Sequence, residues 1–510
     1  MMKTIRMKTY IALILLLISH NINAQKYSCK TDEVEPFEIN EKISPNKLIE
    51  DIDEFIKILE EVHVNPYMKI SKEEFYNATL ELKNSIKDSL TRQQFYQVFT
   101  PLVDKLNDSH TGVSFPRGVY KHYEDVEGGL FLPILIITTK EKEIFIKHDL
   151  SEQNIPDNTK ILSINSIKTE DIINTFLKYE HSPIEASSIK RLERKFVNYM
   201  WWILDFRGPY ILETNIGTFT VDGQTWEEYK NNRDTYTQKN RSTKEKISLE
   251  EVDEQTCILR IKSFTGSALE FESKIEEQFM EIQQKGYKNL IIDVRNNGGG
   301  FDDNGKAVID YITDKSYTIG LSSKLMMKRS KRYDKRIKCN FPWIIRWMIT
   351  MNTASWFDKE NRLLFKHLKK IPYGENLDVL LPLQEPKENP YRFKGNVYAL
   401  SNQYSYSATT VFLGAIKDYN IGAIIGTETG DCPTGFGNNF YFQLKNSKLR
   451  CHSSTTFTIR YSGDIDMTHG VKPDYYIEQT IEDTENNIDT ILKYTLDLIE
   501  KTKHNNVYKK

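Results

Sequence analysis

The stretch NVYALSNQYSYSATTVFLGAIKDY, residues 396–419, places an apolar strand, a turn with serines and a helix in direct succession. The run NVYAL predicts a buried strand that ends at Leu400, and the uninterrupted residues 409–418 predict a helix. Ser407 then lies at the helix N-terminus, where free backbone N–H groups and the helix dipole favour negative charge. It is either the N-cap, the simpler interpretation of this segment alone, or a nucleophile whose oxyanion the Ala408 N–H stabilises.

A second stretch, NLIIDVRNNGGGFDD at residues 289–303, places three glycines directly after another apolar strand. Glycines let a backbone turn sharply and approach another group closely, so the N–H of Gly299 is a candidate second donor to an oxyanion. A tight strand-to-helix turn and a phosphate-binding loop are the alternatives. The phosphate interpretation lacks both the P-loop lysine and the spaced glycines of dinucleotide-binding proteins.

The alternation of strands and helices extends outward from these two stretches. CILRIKSF (257–264) and GAIIGT (422–427) are further strands, and FESKIEEQFMEIQQKG (271–286) is an amphipathic helix that ends at a glycine. The pattern predicts an α/β core with a largely parallel sheet over residues 216–500. An insertion at 315–390 interrupts the core. The simplest interpretation is that this insertion lies on the surface and packs its own small core. The alternatives are a lid over the substrate and a helix that lies on a membrane surface.

Two further units precede the core. Residues 40–125 predict an N-terminal helical domain, with capping signals at Ser71, followed by Glu74, and at Thr91. Apolar residues recur there at helical spacing, at Leu48, Ile52, Phe55, Ile56 and Leu59. Residues 126–215 contain the strand-like runs LFLPILII and EIFIKH and predict a compact β-rich module.

The N-terminus has the features of an export signal. Lys3, Arg6 and Lys8 precede the short apolar run TYIALILLLIS, and the small residue Ala24 ends the segment. This order predicts a signal peptide over residues 1–24. We therefore expect a periplasmic or extracellular protein without a membrane span once the signal is removed.

The composition excludes several classes of protein. The 69 basic and 71 acidic residues nearly cancel, so no nucleic-acid partner is expected. Five cysteines in 510 residues are too few for a disulfide scaffold, although Cys432 and Cys451 are candidates for a pair. The sequence contains no HExxH or CxxC motif, so neither a metal nor another cofactor is predicted.

Together the serine and glycine stretches resemble the S41 family, the tail-specific or C-terminal processing serine peptidases. The family's Asp-x-Arg-x-Asn-x-Gly-Gly pattern stands here at residues 293–300, its nucleophile segment at 405–410 and its Gly-Val-x-Pro-Asp element at 470–474. The resemblance covers most of residues 44–480. It implies a crotonase-like (ClpP-type) protease core, a PDZ-like identity for the module at 126–215, and Ser407 as the nucleophile.

Many S41 members pair the serine with a lysine that this sequence lacks. The expected position falls at or near Cys432, and Lys417, on the nucleophile's own helix, lies about 15 Å along the axis from Ser407. The tricorn-like branch of the family uses a Ser–His pair instead, and LNDSHTGVSF supplies Ser109 and His110 in the corresponding place. The resemblance implies His110 as the general base, because an imidazole accepts protons near neutral pH, with Ser109 steadying the ring.

A distant carboxylate completes the tricorn-like tetrad. The resemblance places it just before Gly470, in SGDIDMTHGVKPD, where Asp466 is the predicted residue and Asp464 the alternative. The family usually has glutamate there. His469 is a competing base because it lies beside the same element, and His110 alone has the simpler interpretation of a satisfied histidine at a helix end.

We predict an exported serine endopeptidase that holds a protein or peptide substrate by strand addition in its PDZ-like module. The missing lysine, and Thr410 where the family often has glutamate, keep an alternative open. In that alternative the chain is catalytically inactive and binds peptides or apolar ligands. An acyl-transferring enzyme with the same Ser–His pair is the third interpretation. The sequence leaves the oligomeric state open.

Overall fold

The computed structural model describes residues 40–239, 245–318, 321–340, 367–368, 370–480, 483, 486 and 488–507, so the predicted signal peptide lies outside the described residues. Its helices are α1 (Pro45–Val62), α2 (Lys72–Ser85), α3 (Arg92–Asp104), α4 (Arg117–Asp125), α5 (Thr169–Leu177), α6 (Glu185–Trp202), α7 (Trp226–Lys239), α8 (Ala268–Lys285), α9 (Asp302–Ile312), α10 (Lys331–Asn340), α11 (Ala408–Asp418) and α12 (Thr490–Val507). In the first half of the chain its strands are β1 (Gly112–Ser114), β2 (Ile134–Thr138), β3 (Ile144–Asp149), β4 (Lys160–Ile164), β5 (Ile167–Lys168), β6 (Tyr210–Thr214), β7 (Gly217–Val221), β8 (Ile247–Asp253) and β9 (Thr256–Ile261). The later strands are β10 (Asn289–Asp293), β11 (Tyr317–Thr318), β12 (Ser322–Lys328), β13 (Asn376–Leu380), β14 (Leu383–Gln384), β15 (Asn396–Ser401), β16 (Ala423–Gly426), β17 (Gly435–Gln443), β18 (Arg450–Arg460) and β19 (Tyr475–Tyr476).

The central sheet has the strand order β19-β16-β15-β10-β9-β8. Its strands are parallel except for β8, which runs antiparallel to β9. All of β10 is buried, and its side chains alternate between two clusters. Leu290 and Ile292 pack with α8, α9 and α11, whereas Ile291 packs with α12. Because both faces of β10 are covered, its three central residues are apolar. The predicted largely parallel sheet is confirmed.

Three helix ends lie at the predicted signals. The Ser71 and Thr91 hydroxyls cap α2 and α3 in complete capping boxes with Glu74 and Gln94. Helix α8 ends at Gly286, whose φ of 71° is a left-handed conformation that glycine adopts without strain. Helix α1 buries the five periodic apolar residues, Leu48, Ile52, Phe55, Ile56 and Leu59.

A second sheet joins the helical domain to the core. Strand β18 pairs with β17 on one side and with β1 and β12 on the other, and β13 continues from β12. The pairing of Gly112 with His452 brings the segment before β1 against the core. The apolar tips of β17 and β18 belong to the same hydrophobic cluster as residues from the predicted helical domain and the β-rich module. One cluster therefore spans these two predicted units.

The β-rich module contains a sheet of order β2-β3-β4-β6-β7, with β5 on β4. Within the predicted insertion, β12 and β13 contribute to a small cluster of their own, formed by Leu325, Met327, Leu368, Leu377, Val379 and Leu381. The aromatic stretch 341–351 lies outside the described residues. In the part of the chain that the structure describes, no helix combines the length and the hydropathy of a bilayer span.

Candidate active site

Ser407 occupies the N-cap position of α11, but its side chain does not cap the helix. Its φ of 53° and ψ of −123° lie in a region that costs a non-glycine residue energy, and such residues cluster at functional sites. The side chain is partly exposed. Its Oγ lies 3.4 Å from Nε2 of His110, so the hydroxyl faces an imidazole instead of the helix backbone.

His110 comes from the turn between α3 and β1, 297 residues from the serine in sequence. The pairing of β1 with β18 holds this turn beside the start of α11. A separation of 3.4 Å is long for a hydrogen bond, as catalytic pairs often are before substrate binds. The structure thus brings together the two predicted residues, Ser407 and His110.

Ser109 connects the ring of His110 to the carboxylate of Asp431, which the sequence did not single out. Its Oγ lies 3.1 Å from Nδ1 of His110 and donates to Oδ1 of Asp431 at 3.2 Å. Since a carboxylate can only accept, the single Ser109 proton points to Asp431, and the Nδ1–H of His110 donates to Ser109. Nε2 therefore keeps its lone pair, which faces Ser407.

The predicted carboxylate, Asp466, lies elsewhere. It accepts hydrogen bonds from the backbone and hydroxyl of Thr468, at 2.8 and 2.6 Å, and contacts Nδ1 of His469 at 2.8 Å. The Thr468 hydrogen bonds, with that of His469, lower the pKa of Asp466 to about 2. The alternative, Asp464, accepts from the Asp466 N–H. Neither carboxylate contacts the Ser–His pair, and the carboxylate that the structure connects to the pair, through Ser109, is Asp431.

The glycine loop approaches the serine closely, but the predicted donor is engaged. The Gly299 N–H donates to Oδ1 of Asn297 at 2.9 Å, which corrects its assignment as an open oxyanion donor. Glycine is required here for another reason. Its φ is 97°, and a Cβ would lie 2.7 Å from the Tyr406 carbonyl and 2.9 Å from Cβ of Ser407. The Ala408 N–H, at the start of α11, has no acceptor among the described residues.

The position expected for a lysine holds a thiol. Burial raises the pKa of Cys432 to about 12, so this free thiol is a poor base. Cys451 is also free, so these two cysteines form no disulfide. Lys417 pairs with Asp474 at 2.9 Å, away from the serine. The described residues contain no group of three or more His, Cys, Asp or Glu side chains placed to hold a metal ion.

One lysine reaches this region from the helical domain. Lys69 donates to the Met467 carbonyl at 3.0 Å, and burial lowers its pKa while the nearby charges of Cys432, Asp108 and Asp431 oppose that effect. No motif around Lys69 indicated this position. Its ammonium supplies a positive charge beside the carboxylates of the site.

Helix α6 of the β-rich module packs on the nucleophile loop. Ser187 donates to the Gly430 carbonyl at 2.8 Å, directly before Asp431. The Tyr404 hydroxyl donates to Glu193 at 2.7 Å, and the other oxygen of Glu193 accepts from the Thr138 N–H at 2.7 Å. The side chains of α6 therefore connect the edge strand β2 with the loop that carries Ser407.

A parallel α/β sheet that presents a serine at a helix start, facing an imidazole and a glycine loop, defines a serine hydrolase. The family model described as peptidase family S41 matches residues 255–477. The match is limited to that segment, so residues 255–477 are similar to this family of serine peptidases. Comparison with curated protein sequences finds no match.

Solved structures share the fold of this chain. Mature CPAF is 15% identical with a TM-score of 0.60, and the match covers 86% of this chain and 94% of that one. Mature CPAF complexed with lactacystin is 14% identical with a TM-score of 0.60, covering 91% and 99%. The photosystem II D1 C-terminal processing protease is 14% identical with a TM-score of 0.42, covering 84% and 93%. At these identities the likeness to the two CPAF structures concerns the fold.

Proposed function

We propose that this protein is an exported serine endopeptidase with Ser407 as its nucleophile and His110 as its general base. The observation that carries the proposal is the contact of 3.4 Å between the Ser407 hydroxyl and Nε2 of His110. Two chain segments 297 residues apart meet there, and the imidazole presents the nitrogen that can accept a proton. Asp431, through Ser109, orients the ring and favours the imidazolium that forms.

The hydrogen bonds around Ser407 and His110 determine the order of the proton transfers in the reaction. The Ser407 oxygen attacks the scissile carbonyl carbon, and its proton passes to Nε2 of His110. The new oxyanion accepts a hydrogen bond from the Ala408 N–H. Collapse breaks the C–N bond, and the leaving amine takes the proton from Nε2. A water molecule then gives a proton to Nε2 and attacks the acyl carbon. Collapse breaks the bond between this carbon and Ser407 Oγ, which takes the proton back from Nε2 as the carboxylic acid product leaves. The Gly299 N–H serves the oxyanion only after it leaves its present acceptor.

A PDZ-like role for the β-rich module is part of the proposal. Strand β2 is an edge of the module's sheet, so an extended peptide can pair with it by strand addition. The Thr138 N–H at the end of β2 is already bound by Glu193, so a peptide would pair with residues 134–137. The proposal that the protein is exported rests on the N-terminal sequence. A secreted chain that begins at Gln25 would support it.

The test uses a fluorogenic peptide library or casein, together with a fluorophosphonate probe that labels activated serines. We expect the wild-type chain to cleave substrate and to be labelled at Ser407. Ser407→Ala should lose labelling and lower cleavage by at least about 10⁴-fold, and His110→Gln by about 10²- to 10⁴-fold. Ser462→Ala, a change at an exposed serine, is the matched control and should behave as wild type.

The outcomes separate the alternatives. Cleavage that persists in folded Ser407→Ala protein contradicts the assigned nucleophile. A folded wild-type chain that is neither labelled nor active is the inactive, ligand-binding member of the family. A chain that is labelled but transfers the acyl group to an added amine without net hydrolysis is an acyltransferase. Digestion products identified by mass spectrometry distinguish these cases.

A further inference from the structure

Asp108 is a buried carboxylate beside the Ser–His pair that the relay to Asp431 does not use. It lies in the turn after α3, directly before Ser109, and is 4% exposed. Its Oδ1 accepts the backbone N–H of His110 at 2.9 Å. Its Oδ2 accepts from the hydroxyls of Thr111 and Ser454, at 2.5 and 2.6 Å, and contacts Nε2 of His63 at 3.1 Å. Four groups from three parts of the chain thus converge on one carboxylate.

These contacts keep the carboxylate charged. Burial alone would raise the pKa of Asp108, but the hydrogen bond from His63, the charge of His110 and the Ser454 hydroxyl hold it well below its usual range. A buried carboxylate without such partners would be costly and would take up a proton instead. Asp108 is therefore a fixed negative charge in the same turn as the imidazole.

We propose that Asp108 is a positioning residue for His110 and supplies a negative charge that favours its imidazolium. The proposal rests on the proposed role of His110 as the general base. The hydrogen bond that the His110 N–H donates to Oδ1 fixes the peptide plane of His110, and hence the direction in which its side chain leaves the backbone. The bond to Ser454 ties the turn to β18, and the contact with His63 ties it to the end of α1.

Other charged groups face the ring of His110. Asp431 acts through Ser109, and Asp302 at the start of α9 adds a second carboxylate. His452 on β18 is the nearby group that would oppose an imidazolium, but burial and the neighbouring His181 lower the pKa of His452 to about 4. At the pH of the assay His452 is neutral, so it adds no positive charge to that of Lys69 beside the carboxylates.

Charged and titratable groups also face Asp108 itself. His63 contacts it, and the ammonium of Lys69 interacts with the carboxylate electrostatically. The Asn65 N–H donates to Nδ1 of His63, so His63 is neutral and donates its Nε2–H to Asp108. The positive charge that faces Asp108 from outside its own turn is therefore that of Lys69.

The test compares Asp108→Asn with Ser454→Ala by the pH dependence of kcat and kcat/KM for one peptide substrate. Asparagine keeps the size and an oxygen for the His110 N–H, and the hydroxyls of Thr111 and Ser454 can rotate to accept from its amide. The Nε2–H of His63 loses its acceptor in this variant, so its fold is checked before the kinetics are measured. We expect kcat to fall about 10- to 100-fold, KM to change less than about threefold, and the acid midpoint of kcat/KM to move down by about one pH unit.

Ser454→Ala should move the same midpoint the other way. It removes one hydroxyl dipole that offsets the carboxylate charge, so the field at the ring becomes more negative and the midpoint rises by about 0.3 pH unit. A merely structural role would lower activity in both variants without shifts of opposite sign. Asp53→Asn, a change in the helical domain at an exposed carboxylate, is the control and should leave the profile unchanged.

The outcomes distinguish a failure of the proposed role of Asp108 from a failure of the proposed peptidase function. Folded Asp108→Asn protein with wild-type kcat and midpoint overturns it. If that variant does not fold, Ser454→Ala decides, because an unshifted midpoint there also overturns it. Loss of activity in Ser407→Ala together with an unshifted Asp108→Asn profile leaves the peptidase proposal standing and removes this one. Activity that survives Ser407→Ala removes both.

Discussion

Replacing Asp431 by asparagine tests the relay from Ser407 to the carboxylate without changing its shape. Oδ1 of Asp431 accepts from Ser109 at 3.2 Å and from the Cys432 N–H at 3.0 Å. The asparagine oxygen can accept both hydrogen bonds, so Asp431→Asn removes the charge and keeps the contacts. Any loss of activity then reports how much the negative charge favours the imidazolium of His110.

The size of the effect follows from the geometry. The path from Nδ1 of His110 through Ser109 to Asp431 has segments of 3.1 and 3.2 Å, so the carboxylate lies no more than about 6 Å from the ring. At an effective dielectric constant of about 20, a unit charge at about 6 Å is worth about 2.8 kcal/mol. Replacing a charge-assisted hydrogen bond by a neutral one costs about 1 to 1.5 kcal/mol. These two values bracket a loss in kcat of about 5- to 100-fold.

The assay is steady-state cleavage of a fluorogenic peptide, with kcat and KM measured separately and the fold checked by circular dichroism. We expect kcat to fall within that bracket while KM changes less than about threefold, because the charge acts on proton transfer and not on peptide binding. Asp378→Asn, at an exposed carboxylate in the insertion, is the control. Wild-type kcat in folded Asp431→Asn protein refutes the relay. A larger loss in Asp466→Asn would restore the carboxylate predicted from the sequence.

Three further predictions test local features. Gly299→Ala should lower kcat at least about 100-fold, because its Cβ would lie 2.7 Å from the Tyr406 carbonyl. Gly298→Ala, whose Cβ would have no atom within 4 Å, should keep activity within about threefold. Equal losses in the two variants would contradict the argument that the backbone at Gly299 approaches Tyr406 too closely for a side chain. Ser71→Ala should cost about 1 kcal/mol of unfolding free energy with unchanged kcat, measured by urea denaturation, and an unchanged midpoint would count against the capping box. Cys432, with its pKa of about 12, should react with iodoacetamide at pH 8 on the order of a thousandfold more slowly than a solvent-exposed cysteine thiol. Rapid alkylation would show that the thiol is not buried as described.

The positions of several helices and core strands were readable from local sequence, whereas the long helix α6 within the predicted β-rich module was not predicted. The capping box at Ser71, the apolar repeat of α1 and the glycine that ends α8 all act within a few residues, so neighbouring side chains alone decide them. The middle of β10, Leu290 to Ile292, is apolar because both of its faces are covered, which indicated a buried parallel strand directly. Ser407 at the start of α11 follows from the same local order of strand, turn and helix.

The sequence offered little for the contacts between distant segments. Asp431 stands in a polar loop with no periodic pattern and no motif of its own, and its partner Ser109 is 322 residues away. The resemblance to a family directed attention to Asp466 instead, which the fold places with its own neighbours Thr468 and His469. The engagement of the Gly299 N–H by Asn297 likewise depends on a side-chain rotamer that spacing does not encode.

By itself, the sequence determined which segments are strands and helices, and which serine lies at a helix start, because those properties arise from interactions between residues close in the chain. Only the tertiary structure decided what surrounds that serine. The pairing of β1 with β18 carries His110 to Ser407, and burial selects which carboxylate meets Ser109. Such meetings depend on the packing of the whole chain, since residues hundreds of positions apart come together only when the core between them has formed.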